Sequence, residues 1–386
     1  MDSIVAQVHS LAKNADEAAR RSIQTALEDL LFEIQDPKYI VYQLLNSPVK
    51  LTVVRVSIDI NLFKTLANSE SPRTVSSLAE QLKVDEDLLG RILRYLASNN
   101  LIKQTGVEEF AANQVTQIFT GKGAEAVTSQ AFNVVGPVLQ VVPPFLAETN
   151  YQSISVKTKT PLQKAFNTEL SAFEWLAQNP EHMQNAQLAM VSNQASNWAR
   201  NFKLLDDAVH EFMECSQPSS DRPFLVDVGG GYGHQTGHLK DKHPCLSGHL
   251  VLQDMPQVVA QVSGLEGVKV MAQDFFTPQA VQGAPFYYFR RILHDYPDDQ
   301  CVKILQNIIP VMASDSRILI DETVLPDTNV SWQAVMADLY MMFMMAGKER
   351  SEKQWRALAD SAGLRVVYIH VHDLSSHSAV LVLERK

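Results

Sequence analysis

The sequence predicts a mostly parallel α/β sheet, preceded by an all-helical region that contains a winged-helix order. Three observations carry this. The stretch Phe224-Leu225-Val226-Asp227-Val228-Gly229-Gly230-Gly231-Tyr232-Gly233 passes from an apolar strand into clustered glycines and then into a helix-compatible segment, His234 to Lys240. Strand, tight turn and helix N-terminus in that order form the entrance to a nucleotide-type site, although a glycine-rich turn also occurs without a ligand. After the glycines, short apolar runs alternate with helical ones, which implies parallel strands covered on both faces. Before them the pattern is helical, apart from two short candidate strands.

A chain of 386 residues suggests two domains, or one large domain with an appendage. The boundaries read as 1–125 (helical and winged-helix), 126–215 (helical connecting and pocket region) and 216–386 (α/β). A net charge of −10 argues against nucleic-acid or anionic-membrane binding through bulk electrostatics. Cys215, Cys245 and Cys301 lie far apart and in no metal-ligand spacing, so neither disulfides nor a metal site is expected. The N-terminus lacks a basic segment followed by a long apolar run, and no other run reads as long enough to span a bilayer. The expectation is a cytoplasmic protein without membrane or nucleic-acid partners.

From Ser3 to about Gln35, Ile23, Ala26, Leu30 and Leu31 recur at helical intervals, on helices that would pack against something, a second subunit among the options. Pro37 ends the pattern. Tyr39 to Leu66 resumes it with an apolar face (Val41, Leu44, Leu45, Val54, Ile58, Leu62 and others) that predicts burial. Between Thr74 and Thr120 come helix Val75–Leu82, a turn, helix Glu86–Asn99 and short strands near 101–104 and 109–112, the winged-helix order. Its second helix opens on Asp85-Glu86-Asp87, where DNA phosphates would demand cations. A structural or dimerising role fits better than DNA binding.

Residues 127–212 read as further helices interrupted at Pro137, Pro143-Pro144 and Pro161. Their aromatics and methionines, including Phe173, Trp175, Met183 and Met190, are either core or the walls of an apolar pocket. After a polar linker, Ser216–Asp221, strands are expected at Phe224–Val228, Leu250–Gln253, Val268–Ala272, Phe286–Phe289, Arg317–Asp321, Val366–Val371 and Ala379–Glu384.

The second of these strands leads into Asp254, some twenty residues past the glycines, where an acid in such a sheet accepts hydrogen bonds from a ribose diol. The third leads into Asp274-Phe275, an acid beside an aromatic, suited to an adenine. Next comes Leu293-His294-Asp295-Tyr296, whose histidine can take a proton near neutral pH. Glu322 and Glu349 could orient its ring and stabilise the imidazolium, but spacing leaves open whether they reach it. His234 and His238 share a helix face without a carboxylate in ligand spacing and read as surface residues.

As an ordered set, Val226–Gly233, Gln253-Asp254-Met255-Pro256, Gln273-Asp274-Phe275-Phe276, Leu293-His294-Asp295-Tyr296 and Gly347-Lys348-Glu349-Arg350 resemble the S-adenosylmethionine-dependent O-methyltransferases of the plant caffeate and fungal natural-product type. The resemblance covers nearly the whole chain. It implies a Rossmann-like α/β cofactor domain, an N-terminal helical and winged-helix dimerisation domain, and a homodimer. It implies that Gly229 and Gly231 line the methionine part of S-adenosyl-L-methionine, that Asp254 binds the ribose and that Asp274 and Phe275 hold the adenine. Arg290 stands where the family usually carries a cofactor-contacting lysine, and Tyr296 where it has tryptophan. His294 would be the general base flanked by Glu322 and Glu349. Phe173, Trp175, Met183, Met190, Met341 and Met345 would wall the site of a small phenolic or enolic substrate. Two rivals stand beside methyl transfer. One is a pericyclase or dehydratase of the same family that uses the cofactor as a fixed charge; the other is a cofactor-sensing DNA regulator, against which the acids at 85–87 argue.

Overall fold

The structure, a computed structural model, describes residues 2–192, 198–215, 222–374 and 376–386; the expected linker at 216–221 lies outside these. The chain divides into two compact units, residues 1–134 with 184–192 and residues 135–183 with 193–386.

The first unit opens with α1 (Asp2–Asn14), α2 (Glu17–Ile34), α3 (Lys38–Asp59) and α4 (Leu62–Ala67). The helical run expected from Ser3 to Gln35 breaks before α2, where the Asp16 carboxylate accepts the Ala19 N–H at 2.8 Å as an N-cap. β1 (Arg73–Thr74), α5 (Val75–Leu82), α6 (Glu86–Ser98), β2 (Lys103–Gly106) and β3 (Glu109–Ala111) follow, then α7 (Gln114–Ile118) and α8 (Lys122–Gln130). The three strands form an antiparallel wing in the order β1-β3-β2, and Leu62, Phe63, Leu78, Leu89, Leu93 and Phe110 make the core beneath it. The winged-helix order is therefore present. The acids that open α6 have a local cause: Asp85 caps the helix by accepting the Leu88 N–H at 2.9 Å, and Glu86 and Asp87 occupy the first turn, where the helix dipole favours negative charge.

One expectation needs correction. The face from Tyr39 to Leu66 is buried only in its second half, at Val54, Ile58, Leu62 and Phe63, while Val41, Leu44 and Leu45 are 58–69% exposed. The apolar stripe of α3 outruns the winged-helix core on which it packs.

A π-helical turn at Ala131–Val135 leads to α9 (Gly136–Glu148), α10 (Pro161–Phe166), α11 (Ala172–Gln178), α12 (Pro180–Ser192) and α13 (Lys203–Cys215). A second correction arises here: Lys122–Glu148 runs on as one helix of 27 residues, long and apolar enough by length and composition to cross a membrane, where the sequence showed no such run. Its α9 portion packs against α10.

The sheet of the second unit comprises β4 (Leu225–Val228), β5 (Leu250–Asp254), β6 (Val268–Ala272), β7 (Phe286–Arg290), β8 (Arg317–Leu325), β9 (Arg350–Ser351), β10 (Leu364–Asp373) and β11 (Ser378–Arg385). Between them lie α14 (His234–Lys242), α15 (Pro256–Val259), α16 (Asp298–Ile308), α17 (Trp332–Met345) and α18 (Glu352–Ser361). The order is β10-β11-β8-β7-β4-β5-β6, with β9 beside β8. β4 to β8 are mutually parallel, and β11 runs antiparallel to both β8 and β10. Both faces are covered, and the two-residue period sorts the side chains between them. Tyr287 and Phe289 pack with Ile304 of α16 and Trp355 of α18, while Phe286 and Tyr288 pack with Leu205 and Val209 of α13 and Leu239 of α14. The carboxyl ends of β4, β5, β7 and β8 thus present their loops together, where open α/β sheets bind ligands.

Candidate active site

At the end of β4 the backbone must turn at once, and glycine permits it. Gly229, Gly231 and Gly233 have φ of 72°, 59° and 80°, and Gly233 caps the start of α14. A Cβ on Gly230 would lie 2.6 Å from the Asp227 carboxyl and 2.3 Å from Leu252, so the loop rests directly on β4 and β5. A Cβ on Gly231 would meet nothing within 4 Å. Asp254 ties the loop down: Oδ2 accepts the Gly231 N–H at 2.8 Å and Oδ1 accepts the Met255 N–H at 2.7 Å. Burial raises its carboxyl, and these two N–H groups partly offset the rise. Phe275 lies beside Gly229, 3.6 Å from where its Cβ would be, and meets Tyr296 edge-on with ring centroids 5.8 Å apart. Asp274 is exposed, with Oδ1 accepting the Phe276 N–H at 2.9 Å.

Asp227 is a supporting residue that the sequence reading missed. Buried under the loop, it accepts the Thr236 hydroxyl at 2.5 Å, and burial pushes it up to about 7 against that bond. An acid within the apolar strand Val226-Asp227-Val228 was the available signal. Arg290 pairs with the buried Asp321, which also accepts the Tyr288 hydroxyl at 2.7 Å and a His372 Nε2 contact at 2.8 Å. Burial would raise Asp321, but Arg290 and His372 outweigh it and hold the carboxyl at about 2. Arg290 Nε remains buried without a hydrogen-bond partner among the described residues.

His294 sits in a 3₁₀ turn, Leu293–Asp295, that follows β7. Its Nδ1 lies 2.8 Å from Glu349 Oε1, so in the neutral imidazole the proton resides on Nδ1 and Nε2 is the basic nitrogen. Glu322 acts differently. Its Oε1 accepts the N–H groups of Ile292 at 2.9 Å, Leu293 at 2.9 Å and His294 at 3.4 Å, clamping the backbone of the turn, while Oε2 is 3.8 Å from Nδ1. Glu349 is held in turn: its N–H reaches Asp338 at 2.8 Å, and the Lys348 N–H donates to the His294 carbonyl at 2.8 Å. Gly347 is required there, since a Cβ would lie 2.3 Å from that carbonyl oxygen.

His294 is 9% exposed. Burial disfavours the imidazolium, but Glu322, Asp295 and Glu349 outweigh it and raise the histidine to about 9. Burial also pushes Glu322 up, whereas at Glu349 the His294 contact overcomes burial and holds the carboxyl down. Asp295 Oδ1 stands 3.5 Å from Nε2. The Lys157 ammonium lies 3.0 Å above the centroid of the Tyr296 ring, and burial lowers it to about 8 against the pull of Asp295.

Of the expected wall residues, Met341 and Met345 are half-buried on α17, which packs against the histidine turn, α9 and α10. Trp175 is buried, stacked on Phe166 at 4.2 Å and His182 at 5.5 Å, which is the packing of a core residue. Phe173 is exposed and Met183 half-buried, and Met190 belongs to the first unit. His234 and His238 are exposed on α14, as expected.

Fold and site together define an α/β enzyme with a glycine-loop cofactor cradle and a carboxylate-held histidine, joined to a winged-helix region. Residues 156–365 match the O-methyltransferase domain family, and residues 42–122 match the O-methyltransferase dimerisation domain. Demethylsterigmatocystin 6-O-methyltransferase of Aspergillus flavus is 37% identical over 386 residues, covering 100% of this chain and 98% of that protein. Among solved structures, LepI in complex with SAM superposes with a TM-score of 0.92 at 34% identity, covering 100% of this chain and 98% of that one. A structure described as a pericyclic reaction enzyme gives the same TM-score and identity, covering 100% and 99%. The chain belongs to the O-methyltransferase family, which uses S-adenosylmethionine. The exposed start of α3 adjoins and enters the dimerisation domain.

Proposed function

We propose that the chain is an S-adenosylmethionine-dependent O-methyltransferase acting on a phenolic or enolic hydroxyl of a small aromatic or polyketide-type metabolite, as a cytoplasmic homodimer, with His294 as general base. The supporting observation is the His294–Glu349 pair at 2.8 Å, which keeps a proton on Nδ1 and directs Nε2 to act as acceptor. The cradle fits the cofactor: open space at Gly231, a buried donor at Arg290 Nε without a partner among the described residues, and the Asp254 carboxylate suited to a diol. When bound, S-adenosylmethionine supplies an electrophilic methyl group on a sulfonium. Gly229 and Gly231 would flank its methionine part, Asp254 its ribose, Asp274 and Phe275 its adenine, and Arg290 a neighbouring acceptor. His294 Nε2 takes the hydroxyl proton, Glu349 steadies the imidazolium, and Met341 and Met345 exclude water from the substrate. Position at this stage contributes several kcal/mol.

Because the reactive form is the neutral imidazole and the histidine stands at about 9, the rate at subsaturating substrate should rise with pH and level off near that value. His294→Ala should abolish turnover while leaving cofactor affinity, measured by calorimetry, unchanged. Retained methylation would refute the assignment.

A second reading has its own support. A histidine held as imidazolium at neutral pH is an acid, which suits a dehydration or pericyclic reaction in which the sulfonium serves only as fixed charge, and the pericyclic reaction enzyme shares this fold. In that case substrate is converted while S-adenosylmethionine is left intact.

A further inference from the structure

Arg291 joins β7 to the histidine turn with φ at 53°, a left-handed conformation that disfavours residues other than glycine and, to a lesser degree, asparagine and aspartate. A conformation of this kind persists where the surrounding structure holds it in place, and functional sites are where such positions cluster. Here the guanidinium donates from Nη1 to Thr323 Oγ1 at 2.7 Å and from Nη2 to Ser378 Oγ at 2.9 Å, and Nη1 stands 3.6 Å from Glu349 Oε1, the oxygen that meets His294 Nδ1. Three acids crowd this histidine: Glu349 from the loop between α17 and β9, Glu322 from β8 and Asp295 from the turn itself. Asp338 of α17 holds the Glu349 N–H. Among the described residues, the cations within ion-pair distance of Glu349 are Arg291 and, when protonated, His294.

We infer that Arg291 is a positioning residue that keeps the Glu349 carboxylate charged and aimed at His294 Nδ1 while the imidazole is neutral. This rests on His294 being the base. When His294 gives up its proton, Glu349 loses its nearest counter-charge, and the guanidinium, fixed by Thr323 and Ser378, remains. Arg291 therefore favours the neutral, reactive imidazole, opposing the neighbouring acids. Two anchored N–H groups give the direction that a single mobile ammonium would lack.

The test uses the full-length protein with isotope-labelled histidine, the His294 ring resonance being assigned by comparison with His294→Ala. Arg291→Gly removes the side chain and relieves the left-handed backbone; Arg291→Lys keeps a charge without the fork. In Arg291→Gly the His294 titration midpoint should rise by about one pH unit, and the limb of the pH–rate profile should move with it, with KM for S-adenosylmethionine unchanged and Tm equal or higher. Arg291→Lys should leave the midpoint within about a third of a unit of wild type and recover part of kcat. An unmoved or lowered midpoint in Arg291→Gly overturns the inference, as does a loss of Tm with the titration unaltered. The midpoint is read without turnover, so failure of the general-base assignment would appear separately, as methylation retained in His294→Ala.

Discussion

Gly231 and Asp254 meet across 23 residues through a single backbone N–H, one in the loop that leaves β4 and the other at the end of the adjacent parallel strand β5. His294 meets Glu322 across 28 residues and Glu349 across 55, on a short turn held from β8 and from the residue that precedes β9. The cradle is thus a local product of strand, glycine and helix start, tolerant of side-chain change as long as the backbone can turn. The histidine end is a tertiary product in which each carboxylate makes its own contact. Glu349 bonds to the ring, and Glu322 bonds to the backbone that carries it.

If that division is correct, substitutions at the two ends should fail in different ways. The largest effect is expected for Glu349→Gln, which takes one of the acids from beside His294. kcat should fall by about a hundredfold, and the pH–rate limb should move to lower pH, because a charge that favours the imidazolium has gone. Gly231→Ala tests the other end. Its Cβ projects into the open cradle, so the dissociation constant for S-adenosylmethionine measured by calorimetry should rise about tenfold. The left-handed φ should lower stability by about 1 kcal/mol, with kcat at saturating cofactor little changed. The smallest effect belongs to Glu322→Gln, whose amide oxygen can still accept the three N–H groups. Stability by chemical denaturation should change by less than about 1 kcal/mol and kcat by only a few-fold, although the pH–rate limb should also move to lower pH because the Glu322 charge favours the imidazolium too. Glu322→Ala leaves those N–H groups without an acceptor and should lose about 1–3 kcal/mol. A Glu322→Gln variant as impaired as Glu349→Gln would erase the distinction between the two glutamates.

The same contrast explains what the sequence disclosed. The glycine turn, the acids at the end of β5 and after β6, and the winged helix are written in short-range patterns, and all lie close to where periodicity and turn residues place them. The histidine was visible as a motif, yet its pairing with Glu349 rather than Glu322 depends on Gly347 allowing close approach to the His294 carbonyl, a contact between segments remote in sequence. Arg291 was hidden for a different reason: a positive φ at arginine has no signature in composition. The exposure of the first half of α3 has no mark in the sequence, because an apolar periodicity records that a face seeks cover without recording whether the cover belongs to the same chain. Most of that exposed half lies within residues 42–122, which match the O-methyltransferase dimerisation domain.

The most direct test of the account is the ratio of S-adenosylhomocysteine to product when the wild-type protein turns over a panel of phenols and enolised pyridones with S-adenosylmethionine present. Methyl transfer with His294 as base predicts one S-adenosylhomocysteine per product, each product heavier by one methyl group in place of a hydrogen. Product that forms while S-adenosylmethionine stays intact would contradict it and identify the bound sulfonium as a fixed charge.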